Sequence, residues 1–247
     1  MYRVVIFLSF LLYSYCCYSQ QSPPVTGHTL PSNLSYQNAS VPSRIIDPAT
    51  GKIFQNNSLP VTGSPFFSDD WKYSFLKLKD GRTYDMVRAK INLVTDEIYF
   101  KATNDVEMVL YSGNVTEINV YTTPESKIIE YKFQTGFPKI DNHDQISLYE
   151  VVAEGNIKLL KRIRKKLSVS KNDVSGETNK EFISYEEYYV IQNNKIRRLK
   201  REKDFVVRLL SDKKERIEQY IEQNSTNFKN MSDVELLFKY YNSLFLP

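Results

Sequence analysis

A chain of 247 residues, 41% of them hydrophobic, has enough apolar material for a folded core in one or two domains. Tyr occurs 18 times against a single Trp, a balance that suits β-structure because Tyr packs its ring and keeps its hydroxyl wet. The net charge of +4 is mild, so bulk charge selects no partner, and the uneven placing of the basic residues matters more.

The N-terminus opens with Arg3 and an apolar run over 4–13, followed by small residues at Cys17 and Ser19. This pattern predicts a secretory signal peptide over 1–19, too short to span a bilayer, with Gln20 first after cleavage. A lipoprotein signal on Cys16 or Cys17 is the rival, and the bulky Tyr13 and Tyr15 fit it poorly. With cleavage after Ser19 both cysteines leave with the signal and the mature chain carries none, hence no disulfide, thiolate metal site or cysteine nucleophile. No later segment has the length and apolarity of a membrane helix.

Residues 20–62 are rich in Pro, Ser, Asn, Thr and Gly and read as an arm or linker. Within it, 45–54 has the pattern of two short extended pieces around a turn. A single domain is expected over 63–247, β-rich over 72–201 and helical over 203–245. Alternating runs at 73–79 and 84–90 flank Asp80-Gly81, a strong hairpin signal. Further strands are expected at 91–94, 97–101, 106–111, 115–121 and 127–133, with a loop at 138–144.

Residues 149–162 then align without a gap on 188–201, sharing a Tyr at the first position, an apolar run and a closing Leu-Lys-Arg. Each copy predicts a hairpin turning at Gly155 or Asn194, residues that tolerate positive φ. A polar stretch at 168–180 separates the copies. After Arg201 the period lengthens. Phe205, Val206, Leu209 and Leu210 share a helical face, Asp212 and Glu215 resemble a capping box, and Leu236, Leu237, Tyr240, Tyr241 and Leu244 form a final stripe. The fold class expected is α+β: an antiparallel meander, sandwich or curled sheet with short C-terminal helices packed on it.

The stretches Asp47-Pro-Ala-Thr-Gly-Lys-Ile-Phe-Gln55, Gly63-Ser-Pro-Phe-Phe-Ser-Asp-Asp-Trp71 and Tyr240-Tyr-Asn-Ser-Leu244 resemble a group of small secreted proteins of Bacteroidetes bacteria. The resemblance spans most of the exported chain and implies an envelope or secreted location in a Gram-negative cell. It brings no activity and no functional residue with it. In such a cell the sequons at Asn33, Asn38, Asn56, Asn114, Asn224 and Asn230 have no eukaryotic use.

Catalytic motifs are scarce. Only His28 and His143 exist, and His28 lies in the arm, so a histidine triad would rest on His143 alone. Asp141, His143 and Asp144 could in principle meet a metal, but three ligands from four adjacent residues rarely surround one ion, and a solvated turn is the simpler reading. The carboxylate pairs Asp69-Asp70 and Glu186-Glu187 could serve a glycosidase only if two carboxylates face each other. No cofactor or metal site is expected.

The basic return strands carry the functional expectation. Lys158, Lys161, Arg162, Arg164, Lys165 and Lys166 are matched in the second copy by Lys195, Arg197, Arg198, Lys200, Arg201 and Lys203. Side by side they would form a positive face for anions, since Arg grips phosphate or carboxylate in a bidentate way. Lipid head groups, lipopolysaccharide, acidic glycans or another envelope protein are the partners expected. Nucleic acid is disfavoured by export and by the lack of an aromatic-interleaved motif. Two facts weigh against the face: basic residues are ordinary on edge strands, and Glu150, Glu154, Glu181, Glu186 and Glu187 lie close in sequence. The leading expectation is an exported, non-enzymatic binding or assembly protein, and the alternative is a carboxylate hydrolase of envelope glycans or peptides.

Overall fold

The computed structural model describes residues 61–171 and 178–245. The signal over 1–19, both cysteines, the 45–54 pieces, His28 and the sequons at Asn33, Asn38 and Asn56 lie outside the described residues. The strands are β1 (Val61–Thr62), β2 (Lys72–Leu78), β3 (Thr83–Ile91), β4 (Ile98–Lys101), β5 (Glu107–Leu110), β6 (Val115–Thr122) and β7 (Ile129–Gln134). They continue as β8 (Tyr149–Ala153), β9 (Lys158–Lys171), β10 (Thr178–Gln192) and β11 (Lys195–Arg198), before helices α1 (Lys203–Leu209), α2 (Lys214–Gln223) and α3 (Met231–Ser243). The β-then-α order read from the sequence is present, and the class is α+β.

All the strands join one sheet in the order β1-β10-β9-β8-β7-β6-β2-β3-β4-β5, with β11 also on β10. Every pairing is antiparallel except β1 on β10. Val61 and Thr62, expected in the arm, thus belong to the sheet, opposite Lys180 and Glu181. The polar 168–180 stretch is likewise not a simple spacer. Strands β9 and β10 extend into it from either side as a long ribbon, pairing from Lys158–Ile191 out to Lys171–Thr178. The two copied hairpins are the β8–β9 and β10–β11 turns at the base of that ribbon. Asn193 and Asn194, with φ of 49° and 59°, give β10–β11 the two positive-φ positions of a tight hairpin turn.

The sheet curls strongly without closing into a barrel. In sheet order, β9 and β3 are five steps apart, roughly 24 Å if the sheet were flat. Yet the Lys165 amide donates to Leu93 O, just past β3, at 3.0 Å. Residues 64–67 fill this seam: Leu93 N donates to Pro65 O and Phe67 N to Ile91 O, both at 2.8 Å. The 91–94 stretch, expected as a strand, is mostly turn because Asn92 Oδ1 accepts from Val94 N at 2.9 Å.

Three apolar clusters result. Leu76, Val87, Ile91, Ile98, Phe100, Ile118, Phe133 and Ile163 fill the curl. Ala153, Ile157, Leu159, Tyr188 and Val190 take the helices through Val206, Leu210, Ile217, Val234, Leu237, Phe238 and Tyr241. Phe137, Tyr149, Leu160 and Tyr189 make the third, on the opposite side of β9 and β10 from the helices.

Helix α3 starts one residue before the expected Ser232. Asn230 caps it, accepting from Ser232 N at 3.1 Å. The capping box expected from Asp212 is not formed. Tyr241 OH instead donates to both Asp212 oxygens at 3.0 and 3.1 Å, joining α3 to the start of α2. Asn242 ties α3 to the sheet, its amide accepting from Ile157 N at 3.2 Å and donating to Ile157 O at 2.9 Å.

Candidate functional site

Side chains alternate along a strand, so the basic run of β9 is divided between two faces. Lys161 and Lys165 point with Leu159 and Ile163, whereas Lys158, Arg162 and Arg164 point with Leu160. The expected single face uniting Lys158, Lys161, Arg162, Arg164, Lys165 and Arg198 is therefore corrected. Carboxylates from the flanking strands also meet these cations one by one. Lys158 pairs with Glu154 at 2.7 Å, and Lys161 with Glu186 at 3.1 Å and Glu150 at 3.8 Å. Lys165 donates to Ser64 O and Phe66 O at 2.9 and 2.7 Å, fastening the seam from inside.

Arg162 is the furthest from an anion-gripping role, being only 5% exposed. Its guanidinium forks onto the Asp96 carboxylate, with Nη1 to Oδ1 at 2.7 Å, and also donates to Leu148 O at 2.8 Å. Asp96 lies in the β3–β4 turn at φ 61°, so this ion pair clasps the curled sheet across its seam.

The densest group of titratable side chains surrounds Glu187. It takes Arg198 Nη2 on Oε1 at 2.7 Å, and Arg164 Nη2 and His143 Nε2 on Oε2, both at 3.2 Å. Burial would raise the Glu187 pKa, but the His143 hydrogen bond and the two guanidinium charges outweigh it and hold the carboxyl below its usual range. Tyr189 OH donates to Asp141 Oδ2 at 2.8 Å, and burial together with that bond raises the phenol. Tyr149, fully buried, stands edge-on to the Phe137, His143 and Tyr189 rings, and burial pushes its phenol up to about 12.

His143 was expected in a solvated turn, and it is 3% exposed. Backbone bonds between Ile140 and His143, at 3.1 and 2.9 Å, fold the loop so that the ring inserts against Tyr149 and Tyr189. Its neighbours Asp141 and Asp144 do not join it around an ion. Asp144 receives the amide of Ile146 at 3.1 Å, and no group of three metal-ligating side chains occurs among the described residues. Glu186 and Glu187, being adjacent on β10, face opposite sides of the sheet and cannot flank one bond. Glu186 instead accepts from Tyr188 OH at 3.3 Å, on the helix side.

What is left is a smaller set at the sheet's edge. Lys195, Arg197 and Lys200 are exposed and make no ion pair with a described residue, and Arg201 lies 5.9 Å over the Tyr188 ring. Of the basic candidates named above, Lys166, Lys195, Arg197, Lys200, Arg201 and Lys203 are exposed without an ion pair to a described residue, and Lys195, Arg197, Lys200 and Arg201 gather at the β11 edge. Strand β9 has acid-bearing neighbours on both sides, and its Lys158, Lys161, Arg162 and Arg164 are ion-paired, while β11 has a neighbour on one side only and among its cations Arg198 alone is ion-paired to a described residue.

Comparisons with protein-family models, with curated proteins and with solved structures found no match.

Proposed function

We propose that this chain is an exported binding or assembly protein of a bacterial envelope that works without catalysis, meeting an anionic partner through Lys195, Arg197, Lys200 and Arg201. The N-terminal charge and apolar pattern supports export, and the resemblance to secreted Bacteroidetes proteins supports a Gram-negative envelope. One observation carries the binding reading. Most cations at the base of the long ribbon, Arg198 of β11 included, have a carboxylate or carbonyl partner, whereas Lys195, Arg197, Lys200 and Arg201 at the β11 edge have none among the described residues. Unmatched surface cations attract anions at long range, and the attraction falls with salt. The non-catalytic reading is supported by the carboxylates. Glu187 has both oxygens occupied by cationic or imidazole nitrogens, and such a group makes a poor base or nucleophile.

The test is retention of the purified chain on vesicles of anionic lipid and on lipopolysaccharide. Replacing Lys195, Arg197, Lys200 and Arg201 together by Gln is expected to abolish retention at low salt and leave the melting temperature nearly unchanged. Retention equal to that of the parent chain on both surfaces would overturn the proposal.

A further inference from the structure

Strand β11 is bonded along one side only. Its turn residues Asn193 and Asn194 leave Gln192 opposite Lys195, and in a two-residue hairpin that first pair exchanges its backbone bonds. Alternation makes Val190–Arg197 and Tyr188–Leu199 the next bonded pairs, and Leu199 N indeed donates to Tyr188 O at 2.8 Å. Lys195, Arg197 and Leu199 thus direct their backbone groups at β10, while Ile196 and Arg198 direct theirs outward. No described strand pairs with that outer side.

The outward groups carry an ordered side-chain code. Lys195 and Arg197 project to one face of β11, and Ile196 and Arg198 to the other. Ile196 rests against the cluster of Tyr149 and Tyr189, and Arg198 is held by Glu187 and Asp141. One face of the edge is therefore free cation, and the other begins apolar. Like charge bars a second β11 from docking there, which removes a symmetric dimer through this edge.

We propose that the outer side of β11 receives an extended, acidic segment of a partner protein as an added strand. Its backbone would bond to Ile196 and Arg198, its carboxylates would fall at every second position beside Lys195 and Arg197, and an apolar side chain would lie next to Ile196. This rests on the anionic-partner reading above and narrows it from anions at large to a polypeptide alternating acidic and apolar residues.

The probe is a synthetic peptide of alternating Glu and Val, titrated against the purified chain at low salt. It is compared with two versions N-methylated at every second residue, one at the Glu positions and one at the Val positions. A fourth peptide of the same charge has Pro throughout the alternate positions. Strand addition uses one edge of the peptide, so one methylated version is expected to bind about tenfold or more weakly while the other holds, and the Pro peptide is expected to fail. Lys195→Gln with Arg197→Gln is expected to remove binding of the parent peptide. Equal binding of all four peptides would overturn strand addition and leave the wider anionic reading standing. Binding to anionic vesicles but to none of the peptides would also overturn it. Failure of peptides, vesicles and lipopolysaccharide alike would sink both readings.

Discussion

Glu150 and Glu187 stand one register step apart along β9, opposite Lys161 and Arg162, yet they titrate in opposite senses. Burial raises the Glu150 pKa, and the Lys161 charge at 3.8 Å offsets only part of that rise. The folded form therefore favours protonated Glu150. Its contribution is fully present below the ordinary carboxylate pKa and is lost as pH rises through the higher folded value. Glu150→Gln is expected to stabilise the protein by on the order of 1 kcal/mol at pH 8 and by nothing measurable at pH 4, in urea titrations at both values. Lys161 would keep Glu186 as its partner. Glu187 behaves the other way, because its folded pKa is depressed. Its contribution is present above the ordinary carboxylate pKa and disappears as pH falls through the lower folded value. Glu187→Gln should cost roughly 1–2 kcal/mol at pH 7, and the cost should vanish in acid.

Among the elements, the β8–β9 turn and α3 are joined at one crowded point. A Cβ on Gly155 would lie 2.6 Å from Cγ and Oδ1 of Asn242, whose amide is fixed by both backbone groups of Ile157. Gly155→Ala must push that amide away, and an expected loss of about 1–3 kcal/mol in urea stability checks it. Asn194, at the matching position of the second copy, is exposed and sits at φ 59°, where Asn is tolerated, whereas Gly155 sits at φ 151°. This contrast bears on what the sequence discloses. Turn positions, alternation and the helical tail follow from spacing within a few residues, so the hairpins at Asp80-Gly81 and Asn193-Asn194 were legible. The neighbours Lys161 and Arg162 were also bound to face apart, since strand geometry alone dictates it. Which acid each cation meets was not legible. Arg162 finds Asp96 from 66 residues away and His143 finds Glu187 from 44, and no local pattern encodes such pairings. The burial of His143 was hidden for the same reason: a loop of polar residues looks solvated until the aromatic wall that receives it is known.

At the scale of the whole molecule, the curl depends on a seam built of few contacts. The Arg162–Asp96 fork is shielded, with side chains 5% and 17% exposed, so deleting one partner leaves the other poorly solvated. Arg162→Met is expected to cost about 3–5 kcal/mol, and adding Asp96→Ala should restore part of that loss, measured as a coupling in a double-mutant cycle. The helices sit on their own cluster at the base of the ribbon and share none of these contacts. Trp71, the sole tryptophan, follows the segment that fills the seam and has Lys90 and Lys101 over its indole at 4.9 and 5.2 Å. Nature has thus fitted the molecule with an optical gauge at one end only. Its emission registers β3 and β4 parting from the entering chain, while far-ultraviolet dichroism registers the helices, so the two signals can time separate events in one denaturation.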